Sequence, residues 1–482
     1  MKKLCLGTVG VLAVALLIAS IALLAARVLE KAVDRQVQEE MILRNGSDTL
    51  KVWEEPPPPV YMQFFFFNVS NPEEILNGET PWVTEIGPYT YREERPRVNV
   101  HILDNGTRIS FLSPKTYIFI PEKSVGNSEV DLIRTVNLPA VVAMEMTTTT
   151  GMHLPVEFLL LLYKEEMFSI HTVHEWLWGY KDKFLHAMHK INPTVDEEFG
   201  FFSKMNGTDD GEYVVLSGEQ SYKNFTRIVE WRGKEKLDWW TSPTSNMING
   251  TDGSSFHPLL DPEESIYIFA SDFCRSLELI HETYVTVKGI PAYRYVPPES
   301  FYTSGAINKN NAGFCVPAGN CPGTGLLNVS TCRQGAPILI SSPHFYQSDE
   351  KYIKDINGMY PSKEDHQTFL DINPMTGILV RACKRLQVNI YVRSFQDFIQ
   401  TGSIKTLVFP VLYLNESVLL DDDSAEKLKA AMFESSLLTS IPYVIMVLGV
   451  VFGIVFVVLV CRPLRPKEEG SADERAPLIR TS

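Results

Sequence analysis

The sequence lacks the motifs of the common enzyme classes. It has no G-x-S-x-G nucleophile elbow and no G-x-x-x-x-G-K-[ST] phosphate loop. His174-Glu175 begins an H-E-x-x-H zinc motif, but Trp178 stands where the second histidine ligand belongs. We therefore predict a protein that is not an enzyme and that needs no cofactor or resident metal.

The sequence is also short of positive charge. It has 44 Lys and Arg against 58 Asp and Glu, which leaves a formal net charge of −14 at pH 7. An acidic surface argues against nucleic acid or anionic lipid headgroups as primary partners. Nucleic acid is therefore not among the partners that we expect.

Long apolar runs are absent from the middle of the chain and occur only near its two ends. Leu4–Ala26 and Ile441–Val460 are each about long enough to cross a ~30 Å hydrocarbon core as a helix. Basic residues flank the outer ends of both runs, so the positive-inside rule predicts that both termini are cytosolic. The first run exceeds the ~7–15 apolar residues of a typical signal peptide, which favours an uncleaved signal-anchor.

This topology divides the chain into five segments. We expect a cytosolic N-terminus (1–3), a transmembrane helix (4–26), a luminal glycosylated ectodomain (27–436), a second transmembrane helix (437–461) and a cytosolic sorting tail (462–482). All eight Asn-x-Ser/Thr sequons fall in the luminal segment, which supports this orientation. The predicted glycosylation sites are Asn45, Asn68, Asn105, Asn206, Asn224, Asn249, Asn328 and Asn415.

Cysteine is scarce, with seven residues in the chain, of which five are luminal in this topology. An oxidising lumen would pair four of them, and four cysteines allow three connectivities that the residues alone leave open. The fifth is most simply a buried thiol. The luminal cysteines are Cys274, Cys315, Cys321, Cys332 and Cys383.

Strand signals dominate the luminal segment. Short β-branched and aromatic runs alternate with clusters of Gly, Pro, Asn and Asp, which is typical of many antiparallel strands. We predict a large β-barrel or sandwich rather than an alternating α/β sheet. The predicted strands are Val60–Val69, Thr107–Ile120, Tyr213–Leu216, Ile266–Ala270, Tyr284–Val287, Val388–Val392 and Thr406–Leu414.

One luminal region, from about Asp131 to Lys190, carries helical signals instead. Thr147–Thr150 are candidate N-caps, and Pro155 fits the first turn of the helix that follows. The run Phe158–Tyr163 then places apolar side chains all round that helix, so it must bury more than one face. We expect it to be sandwiched inside a helical bundle. The alternative is that one face packs inward and the other receives a protein partner.

Five of the ten histidines lie in this same helical region. With an unperturbed pKa near ~6.5, they would be mostly neutral at secretory pH and mostly charged near pH 5, which makes them candidates for a pH switch. Two alternatives stay open, namely ordinary surface histidines and a zinc site built from two H-x-x-H pairs at helical spacing. These histidines are His153, His171, His174, His186 and His189.

The tail carries a sorting signal of the acidic dileucine form, [DE]-x-x-x-L-[LI]. Leu478 and Ile479 are adjacent aliphatic side chains suited to an apolar pocket on a clathrin adaptor, and Glu474 would meet a basic patch beside it. Burying each aliphatic side chain is worth only ~1.5–3 kcal/mol, so binding would depend on multivalency at a membrane coat. This signal predicts delivery from the endoplasmic reticulum through endosomes to lysosomes.

Blocks along nearly the whole chain resemble the class B scavenger receptor family. The first block is Val60–Glu93, which includes Asn71-Pro-Glu-Glu74 and Gly87-Pro-Tyr-Thr-Tyr-Arg-Glu93. The further blocks are Ser271–Arg275, Asn311–Cys315, Gly335–Pro337, Pro343–Tyr346 and Asp371–Gly377. The resemblance also covers both predicted membrane helices.

This resemblance implies an α+β membrane protein. Its ectodomain would be a large antiparallel β-barrel-like core with an apical helical bundle, here about residues 131–190, and an internal lipid tunnel. It also implies that the disulfides are Cys274–Cys332 and Cys315–Cys321, with Cys383 free.

The family contains a lysosomal receptor that binds β-glucocerebrosidase through its apical helices and releases it in acid. The resemblance therefore implies a lysosomal membrane receptor for a β-glucocerebrosidase-like hydrolase. The alternative is transfer of cholesterol or phospholipid through the tunnel. The candidate docking residues are Phe158, Leu161, Leu162 and Tyr163, and the candidate pH sensors are His153, His171 and His174.

Overall fold

The computed structural model describes residues 2–461. These residues fall into two compact units, a terminal unit of residues 2–35 and 430–461 and a central unit of Gln36–Lys429. The predicted sorting residues Glu474, Leu478 and Ile479 lie outside the described residues.

The described residues form eleven α-helices, most of them short. They are α1 (Lys2–Ala26), α2 (Val28–Glu40), α3 (Asp48–Glu54), α4 (Pro72–Leu76), α5 (Leu138–Thr150), α6 (His153–Tyr163), α7 (Val173–Trp178), α8 (Lys183–Ile191), α9 (Glu350–Lys354), α10 (Lys363–His366) and α11 (Asp422–Cys461).

The same residues form nineteen β-strands. They are β1 (Val60–Val69), β2 (Val83–Glu94), β3 (Val98–Leu103), β4 (Arg108–Leu112), β5 (Thr116–Phe119), β6 (Leu132–Val136), β7 (Phe168–Thr172), β8 (Tyr180–Lys181), β9 (Glu198–Phe199), β10 (Tyr213–Leu216), β11 (Ile228–Trp231), β12 (Ile266–Ala270), β13 (Arg275–Val287), β14 (Ile290–Val296), β15 (Leu327–Asn328), β16 (Ile338–Ser341), β17 (Phe369–Ile372), β18 (Leu379–Val392) and β19 (Leu407–Leu419).

The terminal unit is built from the two apolar helices that the sequence predicts. Residues Leu6–Ala26 of α1 are long and apolar enough to cross a membrane, and α11 contains a stretch that is as well. The two helices approach closely where one of them has glycine: a Cβ added to Gly10 would lie 2.9 Å from the ring of Phe456. Small residues allow apolar helices to pack at short range, as they do in membranes.

The central unit is dominated by one antiparallel sheet of eleven strands. Its hydrogen-bonded order is β12-β13-β14-β17-β18-β19-β1-β2-β5, with β16 also paired to β18 and β15 paired to β16. Strand β1 lies between β19 and β2 and buries Phe64, Phe66 and Phe67 completely. The prediction of a large antiparallel β structure is confirmed. Its physical basis is that strands rich in aromatic and β-branched residues bury their apolar faces against each other.

The predicted strand Thr107–Ile120 is wrong as one element. It is two strands in different sheets, because β4 pairs with β3 and β10 whereas β5 pairs with β2. Pro114 lies between them and lacks the backbone N–H that a continuous ladder needs.

The region predicted as helical is a mixture of helices and strands. Strand β6 pairs with β7, and helices α5 to α8 follow or separate these strands. Thr147–Thr150 do not cap α6 but form the last turn of α5, which ends at Gly151 in the left-handed conformation. The prediction failed because threonine hydroxyls are also satisfied inside a helix: Thr147 and Thr150 donate to the carbonyls of Met144 and Met146.

Two disulfides brace the loops between β12 and β16. Cys274 is bonded to Cys332, and Cys315 is bonded to Cys321, which is the pairing that the resemblance implies. Cys383 is a free thiol on β18, half-buried, and burial raises its pKa. A raised pKa keeps a thiol protonated and chemically inert at physiological pH.

Candidate functional site

Helix α6 exposes an apolar face instead of burying it. Only Val156 and Leu160 are buried, whereas Leu154 is 83% exposed, Phe158 63%, Leu161 49% and Leu162 56%. The expectation that this helix is sandwiched inside its bundle is therefore wrong. Its buried positions are four residues apart, so a single stripe of the helix faces the core.

The C-terminal end of the helix is fixed in place. Its last turn ends at Lys164 in the left-handed conformation, and the N–H of Glu165 donates to Leu160 O at 2.9 Å. Tyr163, the fourth predicted docking residue, is half-buried and packs against the core. Three of the four candidate docking side chains thus lie in solvent on a supported helix. Ile399, on the loop that contacts Glu157, is exposed as well.

The three candidate pH sensors each face a carboxylate. His153 Nδ1 lies 3.6 Å from Asp397 Oδ2 and 3.0 Å from the Thr147 hydroxyl. His174 Nδ1 lies 3.0 Å from Glu129 Oε1. These imidazoles gain an ion pair when they are protonated, as expected for histidines beside acidic groups.

His171 is different because it is partly removed from water. Its ring stacks on Tyr180 with a centroid separation of 3.7 Å and lies 3.7 Å from Glu175 Oε2. Burial lowers the pKa of His171, and the neighbouring carboxylates of Glu175 and Asp182 only partly oppose that effect. Burial disfavours the charged form of any imidazole.

The zinc alternative is not supported by the geometry. His186 and His189 both contact Glu197, at 3.1 and 3.6 Å, and hydrogen bonding from His186 lowers the pKa of that carboxyl. Among the described residues, no group of three or more His, Cys, Asp or Glu side chains is arranged to hold a metal ion.

A second candidate site is a large cavity inside the central unit. Its volume is about 1040 Å³, and much of its wall is apolar. A cavity of this size and lining is suited to an apolar ligand, since ligand pockets usually measure ~300–1,000 Å³. Apolar side chains of its wall include Phe225, Ile268, Leu277, Leu279, Leu370, Leu379, Val418 and Leu428.

Part of the cavity wall is a network of charges, in which Glu416 is buried and its partners are half-buried. Glu416 accepts from Arg95 at 2.6 Å and from Lys384 at 3.0 Å, and Lys384 also donates to Asp272 at 2.7 Å. Burial opposes ionisation of Glu416, but Lys384 and Arg95 outweigh it and lower its pKa to about 2. Glu416 therefore stays ionised and paired with Arg95 and Lys384 well into the acid range.

Glu93 is the exception in this network. Its side chain is fully buried, its two oxygens lack a hydrogen-bond partner, and the nearest cations are Arg95 at 3.8 Å and Lys115 at 4.0 Å. Burial raises the pKa of Glu93. The sequence patterns do not predict this network. Its local signal is a set of charged residues on strands, such as the cross-strand pair Lys384 and Glu416.

The eight sequon asparagines are all at least partly accessible. Asn45, Asn105 and Asn206 are exposed, and the other five are half-buried. Asn68 accepts the backbone N–H of Arg134 at 2.8 Å, and Asn415 donates to Gln63 at 3.0 Å. Glycosylation at these positions stays a prediction.

Comparison with known proteins places these features in a family of membrane receptors. The profile of the CD36 family matches residues 11–460, and the chain belongs to that family. Lysosome membrane protein 2 of Rattus norvegicus is 53% identical over 481 residues, and that of Homo sapiens is 52% identical, with both chains covered completely. Scavenger receptor class B member 1 of Sus scrofa is 35% identical over 426 residues, which cover 87% of this chain and 82% of the relative. The resemblance to class B scavenger receptors is thus confirmed.

Proposed function

We propose that the chain is a receptor of the lysosomal membrane that docks a luminal hydrolase, β-glucocerebrosidase or an enzyme like it, on the exposed face of α6. The similarity to lysosome membrane protein 2 and the two terminal apolar helices support a two-span lysosomal membrane protein with cytosolic termini. We further propose the boundaries 4–26 and 437–461 for the spans, and delivery through adaptors that bind Glu474, Leu478 and Ile479.

The observation that carries the docking proposal is the apolar face of α6. Phe158, Leu161 and Leu162 lie in solvent, and Tyr163 borders them with its ring packed on the core. Burying each aliphatic or aromatic side chain contributes ~1.5–3 kcal/mol, so a few such residues suffice for the hot spot of an interface. The helix needs no rearrangement to present them, because α5 and α8 already hold its other face.

Acid release is assigned to His153, His171 and His174. Protonation would add positive charge beside the docking helix and would strengthen the pairs of these rings with Asp397, Glu175 and Glu129. Within this chain each charged ring stays paired with its carboxylate, so protonation does not disrupt the receptor itself. We propose that the new positive charge instead weakens the docked state by its effect on the surface of the bound partner.

The first test is binding of the purified full chain in detergent to β-glucocerebrosidase at about pH 7 and about pH 5. We expect binding at neutral pH that weakens in acid. Phe158→Glu and Leu162→Glu should each weaken binding more than about 100-fold, because a charge would be buried against an apolar surface. Ile307→Glu is the matched control, since Ile307 is an exposed apolar residue outside α6.

Two results would contradict the proposal. Binding that is equally strong in the α6 variants and in the Ile307→Glu control would place the docking surface elsewhere. Replacing His153, His171 and His174 with Gln should remove the acid dependence, and unchanged release would reject these residues as the sensor.

A second function is favoured by the cavity of about 1040 Å³. We propose that the long sheet curves around this cavity as a barrel-like wall and that cholesterol or a phospholipid occupies it on the way to the limiting membrane. The apolar wall provides the driving force, at roughly 25 cal/mol per Å² of apolar surface buried. Photo-crosslinking of a labelled sterol or phospholipid to the full chain should label cavity residues such as Leu370 and Leu379, and labelling confined to the membrane helices would reject this function.

A further inference from the structure

Two histidines outside the α6 region stack on each other in the interior. His344 follows β16, and His366 is the last residue of α10. Both are buried, and their rings are nearly parallel, with an interplanar angle of 15° and a centroid separation of 4.5 Å. Tyr413 contacts both rings edge-on, and Phe67 contacts His344 in the same way.

The same atom of each ring accepts a backbone hydrogen bond. The N–H of Tyr360 donates to His344 Nδ1 at 3.0 Å, and the N–H of Ser362 donates to His366 Nδ1 at 2.9 Å. Each Nδ1 must therefore be unprotonated, which puts the proton of the neutral ring on Nε2. His344 Nε2 accordingly donates to Glu85 Oε2 at 2.6 Å.

Each histidine of the pair is close in sequence to residues of the cavity wall. Ser342 and Tyr346 flank His344, Gln367 and Thr368 directly follow His366, and all four line the cavity. The segment 359–366 ends at this wall. Its other end is anchored at Asn357, whose carbonyl accepts the N–H of Val83 at 3.0 Å.

We propose that His344 and His366 form an acid-sensitive latch, which holds the segment 359–366 against the cavity wall at neutral pH and loosens it in acid. Only the biological purpose of this histidine latch rests on the lipid-handling proposal. Its own test measures the segment, so the failure of one proposal is distinguishable from failure of the other.

The physical basis is the reversal of a hydrogen bond. A proton on Nδ1 turns an acceptor into a donor, so the ring N–H then faces the backbone N–H of Tyr360 or Ser362. Protonation of a ring at Nδ1 removes this hydrogen bond and leaves the N–H of the buried ring without an acceptor. Two charged rings at a centroid separation of 4.5 Å also repel each other.

The groups that face the pair decide where it titrates. Burial and His344 together lower the pKa of His366 to about 4, and Arg385 acts in the same direction. Asp365 and Glu85 oppose this effect without cancelling it. The latch is therefore closed at neutral pH. Opening becomes easier as the pH falls from about 6.5 toward about 4, because a released His366 ring takes up a proton before the buried one does. The groups that face the pair are Glu85 on β2, Asp365 on α10, Arg385 on β18 and Tyr413 on β19.

Hydrogen exchange of the full chain in detergent tests the latch directly. We expect the protection of the segment 359–366, corrected for the intrinsic pH dependence of exchange, to fall at least about 10-fold between about pH 7 and about pH 4. In the double variant His344→Asn, His366→Asn the change should be less than about 2-fold, because Asn Oδ1 occupies nearly the place of Nδ1 and does not titrate. His101→Asn, at an exposed histidine, is the matched control and should behave as the unmodified chain.

Strand β1 serves as the internal reference, because it lies inside the large sheet. If β1 loses its protection in the double variant at neutral pH, that variant is not properly folded. The exchange of the segment 359–366 is then measured in the single variant His366→Asn, with the same expected result. Protection of 359–366 that does not change with pH in the unmodified chain would overturn the latch. An equal acid-induced loss in the unmodified chain and in a folded Asn variant would overturn it too.

Discussion

Two groups of histidines in this chain differ in what faces their ring nitrogens. His153, His171 and His174, beside the exposed face of α6, each have a carboxylate near Nδ1. His344 and His366, in the interior, each accept a backbone N–H at Nδ1. Protonation strengthens the carboxylate contacts of the first group, whereas in the second group it breaks the hydrogen bond that Nδ1 accepts.

The difference teaches that a cluster of histidines does not by itself predict a switch. The histidines of the histidine-rich segment are paired with carboxylates of the same chain, and protonation strengthens those pairs. Any release of a partner in acid must therefore come from the effect of the new charge across the interface. No sequence pattern distinguishes the two interior histidines. Their protonation can change the structure of the chain itself, because Nδ1 of each ring accepts a backbone hydrogen bond that a proton would break.

The largest effect expected from this comparison is on packing. Phe67→Ala should lower the free energy of unfolding by about 3–5 kcal/mol, because Phe67 is fully buried against His344 and Tyr413. Phe158→Ala should change it by less than about 0.5 kcal/mol, since that side chain is exposed. Denaturant unfolding of the full chain in detergent measures both, and equal losses would contradict the assigned interior and exterior positions.

The next effect is on the acid dependence of stability. The pKa of His366 is lowered to about 4, so the unfolded chain takes up its proton first and stability falls between about pH 6.5 and about pH 4. We expect this residue to account for a loss of about 1–2 kcal/mol, less than full linkage because of partial solvent screening. His366→Asn should flatten the profile of unfolding free energy against pH, and a profile as steep as that of the unmodified chain would reject the assignment.

A smaller effect is expected from the carboxylate that holds the interior pair. Glu85→Gln should cost about 1 kcal/mol at neutral pH, because it replaces a charged acceptor of the hydrogen bonds from His344 and Tyr413. Glu175→Gln, at a carboxylate beside the exterior His171, is the matched comparison and should cost less. Thermal unfolding at neutral pH compares the two, and the reverse order would break the distinction between the groups.

The smallest effect is expected at the exterior pairs. Glu129→Gln and Asp397→Asn should each change the unfolding free energy by less than about 0.5 kcal/mol, since the pairs with His174 and His153 are exposed to solvent. The same variants should change how strongly a docked partner responds to acid. Affinity measured at about pH 7 and about pH 5 checks this, and a large loss of stability would show that these pairs are structural.

Local patterns predicted much of the fold. The apolar ends became α1 and α11, and the runs Val60–Val69, Tyr213–Leu216 and Ile266–Ala270 coincide with strands. The predictions were wrong where tertiary packing decides which side chains are buried. The apolar circumference of α6 predicted burial on several faces, but the neighbouring elements cover only the stripe of Val156 and Leu160.

The sequence by itself determined the membrane topology, the strand-rich character of the central unit and the candidate sorting and docking segments. These properties depend on neighbouring residues, through apolar length, side-chain periodicity and short motifs. Only the tertiary structure decided the exposed face of α6, the charged wall of the cavity and the histidine latch. Arg95 meets Glu416 from 321 positions away, and His344 meets Glu85 from 259 positions away. Contacts at such separations are set by strand register and packing, which leave no local pattern in the chain.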